Sequence, residues 1–173
     1  MSTTAILVNV INPALERLSA HGLKPSDSAR VMLYAIGLQE SGLTSRWQIV
    51  NGPYTRGPAR GLWQFEAGGG VKGVLEHKSS SAIAQQFARE FVGSTNNYAV
   101  WATLAYEDVL AAVFSRLLLW ADPRVLPAPV LASESEGWGY YVRNWRPGTP
   151  HPEKWAANWQ AALEALKNPK ETA

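Results

Sequence analysis

The chain has 173 residues, 46% of them apolar, with a formal charge of +2 and a pI near 9.0. That is the size of one ordinary domain, residues 1–173, able to bury about two-thirds of the surface its unfolded form exposes. With no cysteine it has no disulfide framework and no thiol or cysteine–zinc chemistry, so catalysis would fall to carboxylates, His, Tyr, Lys or hydroxyl groups.

The basic residues are scattered and form no dense run of the kind that binds nucleic acid. At the N-terminal end, residues 5–11 are apolar but lack a basic flank and are broken by Asn9, so they read poorly as a signal peptide. The richest apolar run, residues 113–120, is interrupted by Ser115 and Arg116 and falls short of the roughly 20 residues a membrane span needs. A soluble protein is expected.

The remaining pattern is one of short helices separated by Pro and Gly, which predicts a mainly α, all-helical fold. A first helix is expected over residues 13–20, stopping at Gly22. A second begins at a Ser26 or Asp27 cap and runs to Glu40; its Val31, Met32, Leu33, Tyr34, Ala35, Ile36 and Leu38 are apolar nearly all round, the pattern of a central helix buried on every side. Residues 41–61 dissolve into Gly, Pro, Thr, Ser and Asn, a loop too long to be a mere connector. Further helices are expected where Ile83, Phe87 and Phe91 recur at four-residue spacing, and where Val109, Leu110, Val113, Phe114, Leu117 and Leu118 form a broad stripe ended by Asp122 and Pro123. An extended crossing over residues 125–130 leads to a helix carrying Trp138, Tyr141, Val142 and Trp145. The last helix starts at Pro152, carries Trp155, Trp159, Leu163 and Leu166, and gives way to a polar tail at about 167–173. No stretch reads as a strand, and no repeat is present.

Glu40 closes the predicted central helix, where the negative end of the macrodipole and an apolar setting both raise a carboxyl pKa. A carboxylic acid protonated near neutral pH can protonate the leaving oxygen of a glycosidic bond; a Glu at a helix end is also commonly a solvated surface residue. The sequence Gly37-Leu38-Gln39-Glu40-Ser41-Gly42-Leu43 is followed by Gly61-Leu62-Trp63-Gln64-Phe65. This pairing resembles the lysozyme-like superfamily of goose-type lysozymes and soluble lytic transglycosylases. There a Glu-Ser pair ends a helix, and a Gly-Leu-Met-Gln stretch lies some twenty residues on; Trp63 stands where Met is usual.

The resemblance implies a lysozyme-like domain that cleaves the bond from N-acetylmuramic acid to N-acetylglucosamine in peptidoglycan glycan strands without a cofactor or metal. Glu40 would be the catalytic acid, and Ser41, Trp63 and Gln64 would belong to the sugar-binding groove. Glu66 falls at the acidic position of goose-type lysozymes. As a carboxylate about 6.5–9.5 Å from Glu40 it would activate water for inverting hydrolysis. Otherwise Glu40 alone would close a 1,6-anhydro ring, the transglycosylase outcome. Glu66 is equally readable as an acid in the first turn of a helix. The family's Ala-Tyr-Asn motif, whose Tyr steadies the acid, has its nearest match in Ala105-Tyr106-Glu107, with Tyr98 a competitor.

Arg46, Arg56 and Arg60 stand in a loop free of acids, suited either to the carboxylates of peptidoglycan or to solvation. Gly68-Gly69-Gly70 lacks the lysine of a phosphate loop and reads as a hinge or connector. His21, His77 and His151 lack the spacing of a metal pair, and no serine-nucleophile elbow is present. Eight tryptophans are many for this length; each is either core or a flat surface for stacking on sugar. Residues 138–159 resemble the C-terminal part of predicted bacteriophage lysozyme-like proteins. That implies a monomer borne by a virion or released to the periplasm and cell wall; a non-catalytic wall-binding or virion component is the other reading of the same fold. The aromatic and Arg residues there suit either a groove wall or a helix seam.

Overall fold

The computed structural model describes residues 3–50, 52 and 55–167. The chain is mainly helical, with one small antiparallel sheet, as α1 (Thr3–Ile6), α2 (Asn12–Ser19), α3 (Asp27–Ser41), β1 (Trp47–Ile49), β2 (Arg56–Arg60), α4 (Lys72–Glu76), α5 (Ser81–Val92), α6 (Asn97–Thr103), α7 (Asp108–Ala121), α8 (Glu134–Trp145) and α9 (Pro152–Lys167). Among the described residues no helix is long and apolar enough to cross a membrane. Most of the tail expected at 167–173 lies outside the described residues.

Helix α3 is the axis of the fold. Ser26 caps it by accepting the Ala29 N–H at 3.2 Å, satisfying one of the donors a helix start leaves free. Every residue from 31 to 37 is buried. Gly42 ends the helix in the left-handed conformation, φ 64°, sending its N–H back to Gly37 and Leu38, where a side chain would be strained. α3 packs most extensively on α9, with the N-terminal helices and α7 on its other sides. α7 is the second buried helix, enclosed from Leu110 to Leu117, and it carries α2, α4 and α5.

Two regions differ from the sequence expectation. The first helical segment begins at Thr3 instead of residue 13, so Ile6, Leu7, Val10 and Ile11 are core. Between α1 and α2 the turn widens to π form over Leu7–Ile11, with the Asn12 N–H donating to Leu7 O. Pro13 follows directly, and a proline lacks an N–H and crowds the preceding turn; a wider turn is one way a helix absorbs such a residue. The loop after α3 contains the β1–β2 hairpin, in register Trp47 with Arg60 and Ile49 with Arg56, with a bulge between. Its second strand reads Arg-Gly-Pro-Ala-Arg, whose Gly and Pro are poor strand formers and hide the alternation.

Candidate active site

A groove of about 1020 Å³ runs across the molecule from the end of α3 to the end of α8. Glu40, Gln64 and Glu66 all line it. Glu40 sits in the last turn of α3, half-buried, and its Oε1 accepts a 2.7 Å hydrogen bond from the Tyr141 hydroxyl. Burial pushes the Glu40 carboxyl from 4.5 up to about 7, against the pull of that hydrogen bond, which favours the ionised form. Tyr141 is itself driven upward, by burial and by facing Glu40, so its hydroxyl stays a donor.

The Gly-Leu-Trp-Gln stretch is a tight turn. Arg60 and Phe65 exchange backbone hydrogen bonds of 2.9 and 2.8 Å, and the Gln64 N–H closes onto Gly61 O at 3.0 Å. Gly61, φ 74°, is required because a Cβ there would strike the Leu104 carbonyl. Leu62 and Trp63 then point into the core, while Gln64 turns toward the groove with left-handed φ of 51°, a conformation costing about 1 kcal/mol for a non-glycine residue. Its Nε2 donates to Gly61 O at 2.8 Å and lies 3.3 Å from Ser45 O. The amide nitrogen is thus held by the turn, on a side chain that lines the groove. Glu66 follows in extended backbone, exposed, with no side-chain cap hydrogen bond to the helical turn behind it.

That turn, Ala67–Val71, is π-helical and runs directly into α4. The Gly68-Gly69-Gly70 segment is therefore regular helical backbone, and Gly69 and Gly70 give the groove a wall without side chains. Opposite, the end of α8 supplies Tyr141, Arg143, Asn144 and Trp145, with Arg146 just beyond. Asp122, almost buried, is gripped there by Arg143 Nε at 2.7 Å and Asn144 Nδ2 at 3.1 Å. Burial pushes that carboxyl up, but the Arg124 N–H and the Arg143 and Asn144 side chains outweigh it and hold it below its ordinary value. Arg124, Arg143 and Arg146 line this end of the groove, and of their side chains Arg143 is the one paired with Asp122.

Four expected groove residues stand elsewhere. Trp63 is fully buried, its Nε1 donating to Leu33 O at 2.8 Å; an indole that has found a buried acceptor is core, not a stacking platform. Ser41 binds the protein itself, its hydroxyl 2.7 Å from Leu62 O and accepting the Leu43 N–H at 3.1 Å, which ties the helix end to the turn. Tyr106 is 67% exposed and stands edge-on to Trp47, so Tyr141 and not Tyr106 partners Glu40. Arg60 lies flat over Trp101 and donates to Gly57 O and Ala59 O, outside the groove. Of its companions, Arg46 forms a two-pronged pair with Asp108, and Arg56 lies over Trp47. The arginines that do line the groove, Arg124, Arg143 and Arg146, come from the end of α8 and the segment after α7.

Comparisons with protein-family models, curated proteins and solved structures give no match to this chain. What the groove can do follows from its own groups: a half-buried acid with its pKa raised to about 7, a tyrosine that steadies it, a second carboxyl on the same groove, an amide side chain and a cationic end. Tyr141 and Gln48, whose buried Oε1 has no partner among the described residues, were not singled out from sequence for this site. Tyr141 had two signals, its place on the apolar stripe of α8 and its membership of the aromatic and Arg stretch 138–159 that suited a groove wall.

Proposed function

We propose that the protein is a peptidoglycan-cleaving glycosidase, a muramidase of lysozyme-like type acting on the N-acetylmuramic acid to N-acetylglucosamine bond. The observation that carries this reading is the Glu40 carboxyl, held protonated up to about pH 7 beside an open groove. A proton available at neutral pH is what the departing glycosidic oxygen requires. The groove volume is at the top of the range of about 300–1,000 Å³ for small-ligand sites, which suits an oligomer. Its arginine-rich end suits a sugar polymer bearing carboxylates.

In this reaction Glu40 donates its proton to the leaving oxygen, and the Tyr141 hydroxyl stabilises the carboxylate left behind. Glu66 supports hydrolysis over transglycosylation: it is an exposed carboxyl on the same groove, free to take a proton from water attacking the opposite face of the sugar. The test is lysis of purified sacculi by wild type and by Glu40→Gln, with products read by mass spectrometry. Cleavage by wild type alone, giving reducing ends, is expected. Cleavage by a folded Glu40→Gln protein would remove the acid from its role, and 1,6-anhydro ends would replace hydrolysis by transglycosylation.

A further inference from the structure

The β1–β2 hairpin has two faces, because successive strand side chains point to opposite sides. Gln48 and Ala59 line the groove. Trp47, Arg56 and Arg60 turn the other way and join side chains from α6 and the turn after it: Arg56 lies over the Trp47 ring at 4.2 Å, Trp47 meets Tyr106 edge-on at 5.7 Å, Arg60 lies over Trp101 at 4.3 Å, and Trp101 meets Tyr98 edge-on at 6.5 Å. Tyr98 and Tyr106 are about two-thirds exposed. Trp101 is pinned by its Nε1, which donates to Pro58 O at 2.8 Å.

We propose that this reverse face of the hairpin is a second saccharide-binding surface, which holds an anionic glycan strand outside the groove. The chemistry is complementary on both counts. The indoles hold two guanidinium groups over their rings, cations that attract carboxylates, and the tyrosines offer rings on which sugar faces stack. Among the described residues neither Arg56 nor Arg60 pairs with a carboxylate, whereas Arg46, close by in the chain, is fully engaged with Asp108. Desolvation and then the charge of Arg56 lower the Arg60 pKa, against a smaller opposing pull from Tyr106, so the two cations repel and gain from an arriving anion. Two free cations are few for a polyphosphate, whose binding rests on many phosphate contacts, and this favours a glycan over nucleic acid.

That the glycan is peptidoglycan rests on the function proposed above; that the face takes an anionic saccharide does not. The experiment measures retention of the Glu40→Gln protein on insoluble peptidoglycan, against the same protein carrying Arg56→Gln and Tyr106→Ala. Both added changes are at exposed positions, so far-ultraviolet circular dichroism and the urea unfolding midpoint should be unchanged. Loss of one cation and one ring should weaken binding about tenfold and flatten its salt dependence, and Arg56→Gln alone should give the electrostatic part of that loss. Equal retention of parent and variants would overturn the proposal, as would no retention of the parent. Tighter binding of a single-stranded oligonucleotide than of peptidoglycan through the same residues would overturn the choice of a glycan. Wild type that binds sacculi through this face and leaves them uncut would remove the glycosidase reading alone. Wild type that cuts them while the variants bind like the parent would remove this surface alone.

Discussion

Replacing Glu40 by glutamine should stabilise the protein above neutral pH. An acid whose pKa is higher folded than unfolded contributes stability fully below the unfolded value and loses it as pH rises through the folded one. For Glu40 the limits are 4.5 and about 7, a difference equivalent to about 3 kcal/mol at 1.36 kcal/mol per unit. Water reaching the half-buried carboxyl from the groove trims this toward about 2 kcal/mol. Glutamine keeps an acceptor for the Tyr141 hydroxyl and carries no charge to desolvate. Urea unfolding of both proteins from pH 4 to 8.5 should therefore show a stability difference that is flat below pH 4.5, opens in favour of Gln between 4.5 and 7, and is flat again above. In a chain of this size a gain of about 2 kcal/mol amounts to roughly 4–8 °C in Tm. A pH-independent difference would refute the burial of this carboxyl, whatever the enzyme assays show.

Tyr141→Phe removes the hydrogen bond that favours ionised Glu40; since bonds to charged groups contribute about 1.5–3 kcal/mol, the Glu40 pKa should rise by about one or two units. Carboxyl NMR titration should detect that rise, and the alkaline limb of activity should move with it. Trp63→Ala should destabilise the fold by about 3–5 kcal/mol, seen in urea unfolding, and weaken activity through unfolding alone. Gly137→Ala should cost about 1–3 kcal/mol by the same measurement, because its Cβ would stand 2.6 Å from the Trp159 ring.

The sequence makes α3 legible because its cap, its all-round apolar surface and its glycine stop agree with one another. The same holds for α7 and α9, whose stripes are long and periodic. The hairpin is hidden by its own composition, and the N-terminal segment by Asn9, Asn12 and Pro13, which interrupt its apolar run. In the site, Glu40, Gln64 and Glu66 are readable because one helix end and one tight turn carry them in a short stretch. The fates of Trp63 and Tyr106 are not readable from local pattern. Whether an indole faces core or groove depends on an acceptor such as Leu33 O, thirty residues away, and the tyrosine that meets Glu40 lies 101 residues beyond it.

That long separation has a consequence for biosynthesis. Glu40 emerges from the ribosome early, but the hydroxyl that holds it comes from α8. The surroundings that keep water from it include α9, whose Asn158 donates to Gln39 Oε1 at 2.8 Å beside the acid, and the 3.1 Å bond from Trp145 Nε1 to Trp63 O that clasps α8 to the Gly-Leu-Trp-Gln turn. A nascent chain that has not yet delivered residues 134–167 carries Glu40 as an ordinary solvated glutamate, ionised at neutral pH. The raised pKa of Glu40 therefore depends on the docking of the C-terminal helices.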